Sequence, residues 1–237
     1  GKIIGGSMTH YLLEKSRVYS QLKGERSYHF FYQLLKGTDA GQKKLLELED
    51  PSTYRFLADS GSDAIKDAYM GGLKSSDEAD FAEVQGAMDV IGLAQADQME
   101  LFRVVAAVLN IGNVRFDQEE DANSTSGYRA TDAKSSSRLN LEKAARLLSV
   151  NVEDLREASV QRVVESHGDK RILVSDAPAA NLALKTLAST LYVNLFGQLV
   201  LMINNGIRSS VKNVLGLDPN FESNPTNLFV GILDIFG

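Results

Sequence analysis

The sequence contains no cysteine, and its 237 residues include only three histidines. Without cysteine the chain has neither a disulfide framework nor a thiolate metal site. His10, His29 and His167 lie far apart and show no metal-ligand spacing. They also form no defensible Ser-His-Asp arrangement, so the residues alone indicate no hydrolase or metal centre.

The sequence also lacks a phosphate-binding loop. No G-x-x-x-x-G-K-[ST] motif occurs, although Gly1-Lys2 resembles the end of one. Ile3 stands where that motif needs a serine or threonine to bind magnesium. These residues alone therefore do not cradle nucleotide phosphates.

Aspartate and glutamate (31) outnumber lysine and arginine (25), and the formal net charge is −6. A negative chain disfavours nucleic acid as a partner, since phosphate binding needs a clustered positive surface. The chain shows no signal-peptide pattern. The longest predicted helix, over 181–207, is interrupted by Lys185, Asn194 and Gln198, so we expect no membrane-spanning helix.

Apolar periodicity predicts a mainly helical chain, with helices over 25–36, 97–109 and 181–207. The stretch 163–175 is irregular or hairpin-like. The polar stretch 117–137 predicts a mobile surface loop. No linker clearly divides the chain.

Two apolar stretches predict strands. Residues 3–13 are apolar and punctuated by glycine, and 228–233 form a continuous apolar run bounded by turn residues. The second pattern is typical of a strand buried on both faces of a parallel sheet.

Asp234 and Gly237 follow this second stretch, in the sequence GILDIFG. Nucleotide-hydrolysing P-loop proteins place such a strand, aspartate and glycine beside the γ-phosphate. The same residues also fit a simple strand-end turn with Asp234 as an exposed cap, and this stretch alone leaves both interpretations open.

Several longer blocks resemble the myosin motor domain, in the order in which that family has them. The family's YLLEKSRV, GERNFHIFYQLL, AMxxIG, FRILAAILHLGNIxF, YxxLFxWLVxxIN and FIGVLDIFGFE have counterparts in 11–18, 24–35, 87–92, 102–116, 192–204 and 229–237. Leu184-Lys185-Thr186-Leu187-Ala188-Ser189 replaces the family's RDALAK, and Gly197-Gln198 ends its LFxW motif. These departures indicate a divergent class.

The resemblance implies an α/β fold of the P-loop NTPase type, here a predominantly helical fragment that includes strands of the central sheet. Residues 1–237 would be one partial motor domain between switch I and switch II, mainly the upper 50 kDa subdomain. The parent protein would be a cytoplasmic, actin-activated ATP hydrolase. The fragment alone, without P-loop and switch I, is expected to be inactive.

The resemblance also implies the site residues. Switch II would comprise Asp234, Ile235, Phe236 and Gly237, in contact with Mg-ATP. Asp234 would hold Mg²⁺ through water, and the catalytic Gly237 would present its N–H to the γ-phosphate.

The family's actin-binding cardiomyopathy loop corresponds to 162–174, where Arg162, Lys170 and Arg171 would meet acidic actin. Asp169 matches a regulatory position and would supply permanently a negative charge that some myosins gain by phosphorylation.

The implied partners are F-actin and ATP, while light chains or calmodulin would bind outside these residues. We expect no nucleic acid and no membrane contact from this segment. Two rival interpretations are a non-motor helical interaction module and another P-loop NTPase of the GTPase type.

Overall fold

The computed structural model describes residues 3–11, 13–58, 69–70, 73–74, 76–124, 126–132, 135–166, 169–213, 216 and 228–233. The side chains at 69, 70, 73, 74, 132, 166 and 169 lie outside this description.

Helices dominate these residues, as the sequence predicts. In chain order they are α1 (His29–Gly37), α2 (Ala40–Leu45), α3 (Arg55–Ala58), α4 (Asp77–Val90), α5 (Gln95–Asn113), α6 (Ser135–Leu148), α7 (Val152–Val160) and α8 (Ala177–Asn213). Single 3₁₀ turns lie at Lys15–Val18 and Pro51–Thr53.

The strands of the described residues form three two-stranded antiparallel sheets. The pairs are β1 (Tyr69–Met70) with β2 (Leu73–Lys74), β3 (Phe116–Glu120) with β4 (Tyr128–Asp132), and β5 (Gln161–Ser166) with β6 (Asp169–Val174). The predicted loop over 117–137 is therefore wrong, because it is mostly the β3–β4 hairpin and the start of α6. Only Phe116 of β3 is buried, so this strand lacks the apolar alternation that would have revealed it.

The two strands predicted near the ends are not formed. Residues 3–11 and 228–233 have no regular secondary structure, and Leu228, Val230 and Ile232 are each more than 90% exposed. A strand of a parallel sheet requires neighbouring strands, and none of the described strands pairs with either stretch. The predicted strands of a central sheet are thus not among the described elements, and the mainly helical character is confirmed.

The core lies around α5, which packs chiefly against α6 and α8, while α1 packs against α4. The buried apolar side chains form one continuous cluster. Its aromatic part includes Phe31, Tyr32, Phe81 and Phe102, each at most 1% exposed. Phe81 and Phe102 contact each other with ring centroids 5.4 Å apart. Burial of such rings supplies much of the hydrophobic free energy of a fold.

Helix α8 runs for 37 residues, from Ala177 to Asn213. It begins earlier than predicted because Asp176 caps it, its Oδ1 accepting a hydrogen bond from Ala179 N at 2.9 Å. By length and composition alone α8 could cross a membrane, contrary to the prediction. The central helix of a soluble protein meets the same criterion. Its contacts with α5, α7 and the 3₁₀ turn Lys15–Val18 account for part of its apolar surface.

Gly206 of α8 lies against the C-terminal end of α4. A β-carbon at this position would collide with the backbone oxygen of Ile91, which follows the last residue of α4. Only glycine lets the two backbones approach this closely.

Candidate functional site

The predicted actin-binding loop is the β5–β6 hairpin, held between two helices. Strand β5 continues directly from α7, and β6 leads within two residues into α8. Ser175, just after β6, donates a backbone hydrogen bond to Val160 O at 2.8 Å and accepts one from Ala130 N at 2.9 Å. The base of this hairpin is therefore tied both to α7 and to the β3–β4 hairpin.

The register divides the predicted basic residues between the two faces of the hairpin. Arg162 pairs with Leu173 and Val164 with Arg171, which places both arginines on one face. Lys170 pairs with Glu165 on the opposite face. The three predicted basic residues therefore do not share one face, because successive residues of a strand point to opposite sides.

The face that carries Lys170 is also apolar and exposed. Val163 and Ile172 are cross-strand partners, and each is 65% exposed. Val174 on the same face is 44% exposed. An exposed apolar surface beside charged residues is typical of a surface that meets another protein.

Asp169 is the first residue of β6, and its backbone pairs with Ser166. Its side chain, like residues 167 and 168, lies outside the described residues. The assignment of Asp169 as a regulatory acid thus stays a prediction.

The switch II residues Asp234, Ile235, Phe236 and Gly237 lie outside the described residues, as do Gly1 and Lys2. Within the part that the structure describes, no group of three histidine, aspartate or glutamate residues could hold a metal ion. The magnesium and nucleotide contacts assigned to switch II therefore also stay predictions.

Two asparagines of α8 connect the helix to other segments, and sequence reasoning missed both roles. Asn181 accepts a hydrogen bond from Phe116 N and donates one to Phe116 O, both at 3.0 Å. Asn204 makes the same pair of bonds with the backbone of Met8, at 2.7 and 2.9 Å. The same helix thus anchors the hairpin region near its start and the first residues of the chain near its end.

A buried ion cluster fixes α4 against the segment that precedes α1. Asp77 is 2% exposed, and its Oδ2 lies 2.7 Å from Arg26 Nη2 and 2.8 Å from Lys36 Nζ. The Arg26 guanidinium also stacks over the Tyr32 ring, 3.8 Å from its centroid. Nearby, burial and the positive charge of Arg26 lower the pKa of His29. No sequence signal pointed to this cluster, because Arg26 and Lys36 lie 51 and 41 residues before Asp77.

Comparison with known proteins identifies the family. The model of "Myosin head (motor domain)" matches residues 1–237. The chain belongs to this family. Unconventional myosin-Ia of Mus musculus and unconventional myosin IC of Drosophila melanogaster each share 34% sequence identity with this chain over its full length. Myosin-I heavy chain of Dictyostelium discoideum is 35% identical to the whole chain.

The myosin-head chain spans only part of these relatives. It corresponds to 20% of the length of the mouse and fly proteins and to 9% of the Dictyostelium protein. The family assignment confirms the resemblance seen in the sequence blocks. It also excludes the rival assignment to a GTPase-type family, since the match covers every residue.

Proposed function

We propose that the protein carrying this chain is an actin-based motor that hydrolyses ATP. The observation that carries the proposal is the family match over the whole chain. Myosin heads in general depend on nucleotide and magnesium and bind actin. Within such a motor, this chain would supply the switch II edge of the nucleotide site and part of the actin-binding surface.

The arrangement around α8 supports a role in communication between these two regions. The β5–β6 hairpin lies at the start of α8, and Asn204 near its end binds the segment around Met8. The resemblance places that segment just after switch I. A continuous helix between an actin-binding hairpin and a nucleotide-sensing segment is an element through which each site could bias the other.

The nucleotide part of the proposal rests on Asp234 and Gly237. Asp234 would hold Mg²⁺ through a water molecule, and Gly237 would bring its N–H close to the γ-phosphate. Bound magnesium would neutralise charge on the phosphates during hydrolysis. This chain's own part would be to orient the ion's water and the phosphate.

The decisive experiment measures steady-state ATPase activity of the full-length protein with and without F-actin. We expect actin to accelerate hydrolysis, and we expect Asp234→Ala to abolish the acceleration. Asp39→Ala, which removes the N-cap of α2, is the matched control and should retain the acceleration. A wild-type protein that folds and binds partners but hydrolyses no ATP would instead favour the non-motor interaction module.

Asp169 is proposed to supply the negative charge that other myosins gain by phosphorylation. Asp169→Ala should therefore lower actin-activated ATPase while leaving the basal rate unchanged, and Asp169→Glu should retain activity. An unchanged actin-activated rate in Asp169→Ala would show that the assignment is wrong.

A further inference from the structure

Residues of helices α1, α4, α5 and α8 line a half-open cavity of about 300 Å³. Its wall includes Phe30 of α1, Met88 of α4 and Phe196 of α8. The wall is almost entirely apolar, and none of the residues that line it carries a charge. Apolar cavities exclude water and accept hydrocarbon ligands, because a water molecule there would find few hydrogen-bonding partners.

Two residues bring polar groups to this wall. They are Gln33 of α1 and Tyr192 of α8. Neither the Gln33 carboxamide nor the Tyr192 hydroxyl has a hydrogen-bond partner among the described residues. Burial raises the pKa of Tyr192, so its hydroxyl stays protonated and can donate. A ligand here can therefore form a hydrogen bond with the Gln33 carboxamide or the Tyr192 hydroxyl.

The composition of the wall favours an aromatic ligand. Phe30, Tyr192 and Phe196 bring three aromatic rings to it, and the remaining residues except Gln33 are aliphatic or methionine. Aromatic walls contact aromatic ligands through offset or edge-to-face geometry. Since a cavity of about 150 Å³ binds benzene, about twice that volume suits two fused rings.

We propose that this cavity is a binding site for a compact, uncharged aromatic molecule of about two rings with one hydrogen-bonding group. None of the residues that line the site belongs to the proposed nucleotide or actin contacts. Its ligand would bind the folded state only, and so would raise the resistance to unfolding with increasing concentration. The binding requires neither ATP nor actin, so it is tested apart from motor activity.

The test uses 2-naphthol as the probe and the full-length protein, with binding followed by ligand-detected NMR. We expect saturable binding that Val84→Trp weakens at least tenfold, because the half-buried Val84 lines the cavity and a larger side chain fills it. Leu199→Trp on α8 serves as a second filling variant if the first does not fold. Leu182→Trp, at a 61% exposed position of the same helix, is the matched control and should bind normally.

Two further probes separate the hydrophobic and polar parts of the proposal. Naphthalene-2-sulfonate should bind at least tenfold more weakly than 2-naphthol, because the cavity offers no partner for a buried charge. Gln33→Leu or Tyr192→Phe should reduce the preference for 2-naphthol over naphthalene. The proposal is overturned if 2-naphthol binding does not saturate, if both filling variants bind it normally, or if the sulfonate binds equally well. An unchanged preference in both polar variants would likewise overturn the assignment of a hydrogen-bonding group.

Discussion

At the scale of single residues, Gly206 and Gly197 can be compared directly, because both lie inside α8 but have different neighbouring atoms. Gly206 faces the backbone oxygen of Ile91, which cannot rotate aside as a side chain would. Around Gly197 the nearest atom to an added β-carbon is His10 Cε1, at an ordinary contact distance of 3.9 Å.

We therefore expect opposite effects of alanine at the two positions. Gly197→Ala should raise the free energy of unfolding by up to about 1 kcal/mol, because alanine favours a helix more than glycine does. Gly206→Ala should lower it, since overpacking typically costs about 1–3 kcal/mol and exceeds the helical gain. Urea unfolding of both variants measures the difference. Equal stabilisation in the two would mean that α8 and α4 can separate freely.

The buried carboxylate of Asp77 supports a second prediction about stability against urea. Asp77→Asn removes the carboxylate that Arg26 and Lys36 contact, and it leaves their charges in a poorly solvated place. Removing one partner of a buried ion pair typically costs about 3–5 kcal/mol, which should appear as a lower urea midpoint.

The control for Asp77 is an exposed ion pair on the β3–β4 hairpin. Glu119 and Arg129 contact each other at 2.6 Å, but both side chains are about half exposed. Water already solvates these charges, so Glu119→Gln should leave the midpoint unchanged. A similar loss in both variants would indicate that burial is not what makes the Asp77 cluster important.

At the scale of elements, the β5–β6 hairpin offers two distinct faces to a partner. Reversing Arg162 and Arg171 together changes one face, and reversing Lys170 changes the other. An exposed ion pair contributes up to about 1 kcal/mol, so reversing two attractive charges should weaken actin binding about tenfold or more at low salt. Cosedimentation of the full-length protein with F-actin would measure this loss, and added salt should reduce it.

The same measurement identifies the face that contacts actin. A strong loss with Lys170→Glu and none with the double arginine variant would assign the contact to the Val163–Ile172 face. Lys212→Glu is the control, because this exposed lysine lies about 50 Å further along α8 at a rise of 1.5 Å per residue. If none of the hairpin variants differs from this control, the hairpin does not bind actin.

The elements that sequence predicted well are those with strong internal periodicity. Helix α5 was predicted over 97–109 and spans Gln95–Asn113, and α8 was predicted over 181–207 and spans Ala177–Asn213. The β3–β4 hairpin escaped because a strand exposed on both faces carries no apolar pattern. The strand predicted over 228–233 is not formed, because strand formation also depends on partners that the apolar pattern of a sequence does not specify.

The candidate site was only partly predictable, for a geometric reason. Arg162, Lys170 and Arg171 are close in sequence, and hairpin formation keeps them close in space. Which face each side chain occupies depends on the register, and a shift of one residue would exchange the faces. The asparagines that anchor α8 could not be found because their partners, Phe116 and Met8, are 65 and 196 residues away.

At the scale of the whole molecule, the exposed run 228–233 dominates the expected solution behaviour. Leu228, Val230 and Ile232 are the most exposed large apolar residues of this run and lie at alternate positions. Contiguous exposed apolar surface promotes association, and an unpaired extended segment offers backbone groups for pairing with another copy.

The 237-residue chain expressed alone should therefore self-associate, as light scattering during size-exclusion chromatography would show. Replacing Leu228, Val230 and Ile232 together by lysine should return it to a monomer. The control replaces Leu45, Leu182 and Leu201 by lysine, three exposed apolar residues that are not neighbours in the sequence, and should leave association unchanged. If both triple variants self-associated less to the same extent, the change in net charge would be the cause.

Helix α8 contacts the C-terminal end of α4 at Gly206, and most of its length lies on one side of that contact. From Gly206 back to Ala177 the helix extends about 44 Å at 1.5 Å per residue. A tilt of the helix by about 2° around Gly206 therefore displaces its N-terminal end by about 1.5 Å. The base of the β5–β6 hairpin, attached to that end through Ser175 and Asp176, would move with it. Such a rotation is too small to break a hydrogen bond beside Gly206. It would nevertheless shift the hairpin by about half the donor–acceptor distance of a hydrogen bond.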